Sequence, residues 1–486
     1  MSLRSIVREI QKGSVNIAIN NLLTKDSLLR MNSAPDLIEF MAGCIESKDR
    51  PYVSICAQKT YCFSHFKNTN LYENVLSNID AGGPVVVISH QPTIFPYSGV
   101  YVQFLLADFL VRKLKASYGL NTSIIYLCLD SDDAFDRRIK TAHFPFPVAR
   151  KGSVPISYEM YKFCRNVPQF CVPYIDNGYR NNWKKSILGA FDLLASFLPN
   201  MKIEIRNAKK KFDFFFDELF EETTMLKPES FSDFSLSIIM GFVKKIIDTP
   251  VIPLRYSDLF NVGRQEVVSA LKRWKDIVRT GRQLLNKYNL EKISIFDSYP
   301  TWGICKRCYF RNSITYDQAL EALSGNKINV KCERCLTTFC ELDVDFLIMP
   351  KVILEDILGV VFTGANLVLT YAGSTQHVVL SNSIIENVFK KKSPIFTWHP
   401  KHFLGTVLDK SCVELLQRDI KGDSSLLALQ RATEGRDTLL YLFDESVIQR
   451  MKKGWGEHFL DRKLSDRMVC TTKSDIYSQF IKVLKW

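Results

Sequence analysis

The sequence predicts an α/β protein built on a parallel sheet and carrying two insertions, one helical and one a zinc ribbon. Three observations lead there. A pure β-branched run, Val85 to Ile88, has the look of a short strand covered on both faces. The loop SHQPTIFPYSG, an amphipathic stretch from Val100 to Lys115 and a second apolar run from Ser123 to Leu129 follow it, which is a βαβ unit. Further on, two C-x-x-C pairs interrupt the pattern before strand-like runs return.

Composition sets the class. The chain has 486 residues, of which 46% are hydrophobic and 24% charged, with 22 Gly and 18 Pro. Those values exclude a disordered or collagenous chain. The best apolar run, Leu358 to Ala372, is broken by Gly359, Thr363, Gly364, Asn366 and Thr370, so no membrane span is expected. The opening MSLRSIVREIQKGS has no secretory h-region, and a cytoplasmic protein is expected. Thirteen cysteines, an odd number, point to reduced thiols rather than disulfides. Cys56, Cys62 and Cys128 sit among apolar residues and read as core packing. The formal charge of +13 suits anionic small molecules as well as nucleic acid. The lysines at 209–211 and 390–392 read as solvated faces.

Taken in order, residues 1–80 form an N-terminal helical segment. Residues 81–182 hold the first half of the sheet, opened by the breaker Gly82-Gly83-Pro84. Residues 183–295 read as a helical insertion, with apolar stripes at Trp183 to Leu198, Lys209 to Phe220, Phe234 to Ile247 and Val267 to Tyr288. Residues 296–345 hold the cysteine pairs. The second half of the sheet is expected at 346–409, in strands Phe346 to Met349, Leu367 to Tyr371 and Pro394 to Trp398. Residues 410–486 are mixed and end in a basic amphipathic segment.

Cys305-Lys-Arg-Cys308 and Cys332-Glu-Arg-Cys335 each present two thiolates to one ion. Two such knuckles complete a tetrahedral sulfur shell, which suits Zn²⁺. An all-Cys shell leaves no open position, so the ion is expected to be structural. Lys306, Arg307 and Arg334 offset the negative charge of the metal-thiolate centre.

In parallel sheets, ligands bind beyond the carboxyl ends of the strands. After the first strand come His90, Gln91, Tyr97 and Gly99. After the second come Asp130, Asp132, Asp133 and Asp136, with His143 further on. After the strand at Leu367 come Tyr371, Gly373, Ser374, Gln376 and His377. His399 and His402 follow the last strand. The candidate catalytic residues are His90, Asp132, Asp133 and His377. Substrate- or nucleotide-binding roles are expected for Gln91, Tyr97, Gly99, Asp136, Tyr371, Gly373, Ser374, Gln376 and His399. The Gly373 turn brings backbone N–H groups to a helix start, where an anion is favoured. Neither a Walker lysine nor a G-x-G-x-x-G spacing is present. The acidic cluster suits Mg²⁺ or the α-amino group of an amino acid, with the amino group preferred.

The stretches VVVISHQPTIFPYSGVYVQ, YLCLDSDDAFD, MPKVILEDILGVV, LVLTYAGSTQHVV and SPIFTWHPKH occur in an order that resembles the BshC family, cysteine-adding ligases of bacillithiol biosynthesis. The matches cover about 83–145 and 346–405. Gln91, Asp132, Phe135, Asp136 and Gly373 match its motifs; His90, Asp133, Ala134, Gln376 and His377 depart from them. The resemblance implies a Rossmann-like core of the class I synthetase and nucleotidyltransferase type. It also implies C–N bond formation between cysteine, or a relative, and the amine of a small acceptor, with ATP or another nucleotide as a ligand. That family ends in a dimerising coiled coil, whereas no sustained heptads follow residue 409 here, so the oligomeric state stays open. Two other likenesses pull elsewhere. HQPTIFPYSG resembles the opening of WbqC-like polysaccharide-associated proteins. A zinc ribbon on such a core is also seen in class I lysyl-tRNA synthetases. A binding module for RNA or a protein partner, on a degenerate synthetase-like core, is the non-catalytic alternative.

Overall fold

The computed structural model describes residues 34–43, 50–64, 68–93, 98–145, 153–160, 162–174, 177–197, 202–287, 299–326, 328, 330–336, 338–339, 348–371, 375–391 and 395–398. Its centre is a five-stranded sheet, parallel throughout. The strands are β1 (Val85–His90), β2 (Ser123–Cys128), β5 (Val251–Arg255), β11 (Leu367–Tyr371) and β12 (Ile395–Trp398), in the order β12-β11-β1-β2-β5. Numbered by appearance, this is the 3-2-1-4-5 order of a Rossmann-like doubly wound sheet.

Side-chain alternation explains why helices lie on both faces. Val86, Ile88, Ile124, Tyr126, Cys128 and Leu369 share one core with α4 (Ser98–Tyr118), the crossover from β1 to β2. Val85, Val87, Ile125, Leu127, Leu254 and Val368 share the other. That second core includes α13 (Val352–Thr363) and α14 (Thr375–Asn387), the latter joining β11 to β12. The chain winds outward from β1 through β2 to β5, then returns on the other flank of β1 and winds outward to β12. Right-handed crossovers in opposite directions require helices on opposite faces. The reversal lies between β1 and β11.

The N-terminal helices brace this core. They are α1 (Ala34–Gly43), α2 (Pro51–Thr60) and α3 (Thr69–Asp80). Arg50, 2% exposed, donates to the carbonyls of Thr363 (3.0 Å), Gly364 (3.1 Å) and Ile79 (3.3 Å), and to Asn366 Oδ1 (3.1 Å). Asn366 Oδ1 also accepts from the Val85 N–H at 3.0 Å, so one buried cluster ties the end of α13 to the start of β1. Gly364 ends α13 in the left-handed region at φ 52°, with Arg50 atoms 3.0 Å from where a Cβ would stand.

After β2 come the short helix α5 (Arg137–Lys140) and a hairpin of β3 (Thr141–Pro145) and β4 (Ser153–Ser157). His143 lies in β3, paired with Pro155, and not in a loop after a core strand. Helices α6 (Asn177–Phe197), α7 (Lys202–Met225) and α8 (Phe231–Ile246) follow. They pack through an aromatic row in which Phe212, Phe216 and Phe220 recur at one-turn spacing. A Ser230/Asp233 capping box starts α8.

Two assignments differ from the sequence reading. Residues 183–295 are not helical throughout, because β5 belongs to the central sheet. Pro253 reads as a helix breaker, but β5 pairs with β2 alone, and a described edge tolerates proline. The Thr60 hydroxyl donates to the Pro253 carbonyl, so α2 covers that edge. The strand expected at 346–349 is described only from Ile348, where β10 (Ile348–Pro350) pairs instead with β6 (Thr301–Ile304) of a ribbon sheet, itself paired with β7 (Arg311–Ile314). Helices α9 (Tyr256–Val262), α10 (Arg264–Lys272) and α11 (Trp274–Lys287) link β5 to this ribbon. The ribbon adds α12 (Tyr316–Leu323) and the hairpin of β8 (Val330–Lys331) and β9 (Thr338–Phe339). Cys56 and Cys128 are buried as expected, whereas Cys62 is exposed. No helix among the described residues is long and apolar enough to cross a membrane.

Candidate active site at the sheet switch point

In a doubly wound sheet, the two strands flanking the reversal send their following loops apart and leave a crevice at their carboxyl ends. Here those strands are β1 and β11. His90 closes β1 opposite Cys128, which stands opposite Arg255 in β5. Tyr371 closes β11 beside Trp398. The carboxyl edge therefore carries His90, the loop after Cys128, Tyr371 and the first turn of α14, where His377 is partly exposed.

His90 is 9% exposed, and its Nδ1 lies 2.8 Å from the Gln91 carbonyl. A carbonyl only accepts, so Nδ1 carries the proton and Nε2 keeps its lone pair. Burial pushes the imidazole down to about 4, which leaves it neutral at pH 7. The Gln91 amide donates to Asp132 Oδ2, bringing these two candidates together.

The loop after β2 is tightly held. Asp130 is fully buried and accepts from the Ser257 N–H (2.9 Å) and hydroxyl (2.6 Å) at the start of α9. Burial raises its carboxyl to about 7, against the opposing pull of Arg255. Arg255 is itself paired with Asp258 (2.8 Å) and Asp233 (2.7 Å). Asp133 Oδ1 accepts the backbone N–H groups of Phe135 and Asn166, both at 2.9 Å, and Arg311 lies 4.0 Å from Oδ2. That carboxylate therefore holds the loop after β2 in shape. Asp136 donates its N–H to the Asp133 carbonyl at 2.9 Å.

The carboxylates of α13 complete the edge. Ser131 Oγ donates to Glu355, which is 4% exposed. Ser381 Oγ of α14 donates to Asp356 Oδ2 at 3.1 Å. Burial, then the like charge of Asp132, raises Glu355 well above the usual carboxylate range. Burial raises Asp356 to about 7, although it keeps a partial solvent face. His377 precedes Ser381 by one turn and so shares its side of α14. Sequence reasoning missed Glu355 and Asp356. The signal was present: two adjacent acids inside the apolar helix VILEDILGVV.

Tyr97, Gly373, Ser374, His399 and His402 lie outside the described residues, so their places in this edge are not assigned. Gly99 and Gln376 sit in the first turns of α4 and α14.

The four ribbon cysteines come together as their spacing predicts. Their Sγ atoms all lie within 4.8 Å of one another, with Cys305 to Cys335 and Cys308 to Cys332 at 3.6 Å. A zinc ion with bonds of about 2.3 Å needs a sulfur–sulfur edge of about 3.8 Å, so the cluster fits one. Both knuckles fold alike. The Tyr309 N–H donates to the Cys305 carbonyl (2.7 Å) and the Leu336 N–H to the Cys332 carbonyl (2.9 Å). Tyr309 and Leu336 take positive φ values of 56° and 59°, a strained conformation for either residue. Among the described residues this is the one group of three or more ligand atoms close enough for an ion. The described residues of the acidic edge gather no such trio.

The ribbon and the acidic loop interlock through adjacent residues. Asn312 donates to Cys332 Sγ at 3.7 Å and accepts the Glu333 N–H at 2.9 Å. Its neighbour Arg311 donates to the Ser131 carbonyl (3.0 Å) and to Asn166 Oδ1 from Nη2 (3.1 Å) and Nε (3.2 Å). Arg334 of the second knuckle donates to the carbonyls of Phe163 (2.7 Å) and Arg165. Compared with known proteins, the chain matches no family model and no curated sequence.

Proposed function

We propose that this protein is a ligase that joins the carboxyl group of an amino acid, cysteine or a relative, to the amine of a small acceptor. The observation that carries the reading is the meeting of His90, Gln91, Asp132 and Glu355 at the reversal point of a doubly wound sheet. A carboxylate resists attack until it is activated, and a nucleoside triphosphate bound at the crevice would supply that chemistry. The chain's own residues would bind and orient. Neutral His90 closes β1 at the crevice, and Gln91 couples its loop to Asp132. The Rossmann-like parallel sheet and the sequence likeness to BshC point the same way.

The roles expected from sequence shift in one respect. An imidazole near pKa 4 is a poor proton acceptor at pH 7, whereas a carboxylate near 7 is well matched. Asp356 is therefore the better base for the amine proton, and His90 a positioning acceptor. The zinc ion is structural, held by Cys305, Cys308, Cys332 and Cys335. A second reading, that the ribbon also meets RNA or a protein, rests on its exposed tips. Lys306, Arg307, Tyr309 and Leu336 all face solvent.

A thermal-shift screen of purified protein tests the choice. It should include ATP, ADP, cysteine, other amino acids, amino sugars and total tRNA. Stabilisation by a nucleotide or amino acid, lost in His90→Ala and Asp132→Ala, supports the ligase. A salt-sensitive shift with tRNA alone, lost on mutating the knuckle tips, supports the binding module.

A further inference from the structure

The outer face of α7 (Lys202–Met225) carries apolar side chains that the protomer does not bury. Ile203 is 73% exposed, Phe214 74% and Met225 79%, more than any other large apolar residue described. They stand eleven residues apart, which is three turns of helix, so they line one face. The opposite face already fills the core of the insertion. There Phe212 packs on Phe191 of α6 and Phe220 on Phe234 of α8, with Ile205, Ala208 and Leu219 buried beside them. A single exposed apolar side chain is ordinary. Three in line on a helix that has its core elsewhere mark a surface that another surface covers.

The charges beside this stripe say what covers it. Arg206 and Lys210 flank its first half, Asp217 and Glu221 its second, and all four are exposed. No ion pair joins Arg206, Lys210 or Glu221 to another described side chain, while Asp217 meets Lys184 at 2.6 Å. The arrangement is palindromic about Phe214. Turning a second copy of α7 end for end about that residue sets Ile203 of one copy level with Met225 of the other. Lys210 lies about 6 Å before the centre and Asp217 about 4.5 Å after it; Arg206 lies about 12 Å before and Glu221 about 10.5 Å after. Each cation of one copy thus comes level with an acid of the other, to within the rise of about one residue. At about 100° per residue, all four charges fall on the same side of the stripe. A two-fold axis at Phe214 therefore brings both pairs together instead of holding them on opposite flanks.

We propose that the outer face of α7 docks a second copy of this chain, in a symmetric dimer whose two α7 helices pack antiparallel with Phe214 against Phe214 at the axis. A contact of this kind uses the same patch on both copies and closes on itself. A different protein partner would need no match between the two halves of the stripe, and the match is what singles out a second copy. The aromatic pair and the two apolar ends supply the attraction, and the flanking charges fix direction and register. One face of a 24-residue helix lies at the small end of stable interfaces, so the dimer is reversible, with a dissociation constant in the micromolar range. None of the candidate site residues lies on α7, and the dimer is independent of the ligase reading.

Sedimentation velocity of the zinc-loaded full chain, over a wide range of concentrations, tests it. The expected result is a mass that rises from one chain to two as concentration increases. Phe214→Asp sets two carboxylates together at the axis and should weaken association at least a hundredfold. Its melting temperature in dilute solution should stay that of the wild type, because the side chain is exposed in the protomer. Arg206→Glu faces Glu221 of the other copy and should weaken the dimer several-fold, as should Glu221→Arg. The double variant Arg206→Glu with Glu221→Arg should recover the wild-type constant, a rescue that the antiparallel register requires. A single chain at every concentration, a dimer unmoved by Phe214→Asp, or a double variant that recovers nothing overturns the proposal. A single chain whose Phe214→Asp form melts lower also overturns it, by showing that another part of the same chain covers the stripe.

Discussion

Arg311→Met is the sharpest perturbation of the link between ribbon and site. Arg311 is 9% exposed, and its guanidinium serves the Ser131 carbonyl and Asn166 Oδ1, and stacks 4.9 Å from the Trp302 ring. Methionine keeps the aliphatic stem and removes the donors. Leaving the buried Ser131 carbonyl unpaired costs about 1–3 kcal/mol, and the Asn166 oxygen, which water can reach, about 1 kcal/mol. Loss of the cation–π contact adds about 0.5–1 kcal/mol. Relief of the burial cost of the charge offsets part of this, leaving a net loss of about 3 kcal/mol. In a chain of this size, that is a fall of about 5 °C in Tm. Because Ser131 holds Glu355, ligand binding at the acidic edge should fall as well. Differential scanning calorimetry with and without ligand is the assay, and Arg311→Lys should recover little, since one ammonium cannot serve both acceptors. A Tm within 1 °C of wild type, with binding intact, would refute the reasoning.

Three further outcomes follow from the geometry. Elemental analysis should give one zinc per chain, and Cys305→Ser with Cys332→Ser should abolish it; chelation should lower Tm by loosening the Arg311 and Arg334 contacts. Asp130 and Asp356 are raised from 3.8 to about 7, so the folded state binds more protons than the unfolded one between those values. Stability is then fully present below about pH 4 and lost as pH rises through 7, by up to about 4 kcal/mol for Asp356 alone. Asp356→Asn should flatten the urea-midpoint profile over that window, and an unchanged profile would contradict the burial argument. Arg50→Met removes the donor to four acceptors, of which Asn366 Oδ1 and the Ile79 carbonyl keep another, and should cost about 3–5 kcal/mol in urea denaturation without altering the ribbon's zinc content.

How much was legible depended on the range of each interaction. β1 and β2 were plain because an uninterrupted β-branched or apolar run has one comfortable setting, a central parallel strand. The metal cluster was plain because each knuckle is local, with both ligands in one turn. β5 was not, since Pro253 reads as a breaker until its edge position is known. Arg311 carries no local signal at all, for its partners Asn166 and Ser131 lie 145 and 180 residues away. Asp133 looks like Asp132 in sequence, and only the structure shows that the first accepts two backbone N–H groups while the second accepts from the Gln91 amide. Glu355 and Asp356 lay in a stretch already singled out for its apolar character, which hid the two acids as ordinary helix residues.

The ligase reading is tested most directly by product analysis. Zinc-loaded protein should be incubated with ATP, L-cysteine and an amino-sugar acceptor, and the mixture examined by mass spectrometry for the amide and for nucleotide cleavage. The account predicts an amide whose formation depends on nucleotide and falls at least a hundredfold in both Asp132→Ala and Asp356→Asn. No amide under any combination of amino acid and amine, with nucleotide left intact by protein that retains its zinc and melts cooperatively, would contradict it.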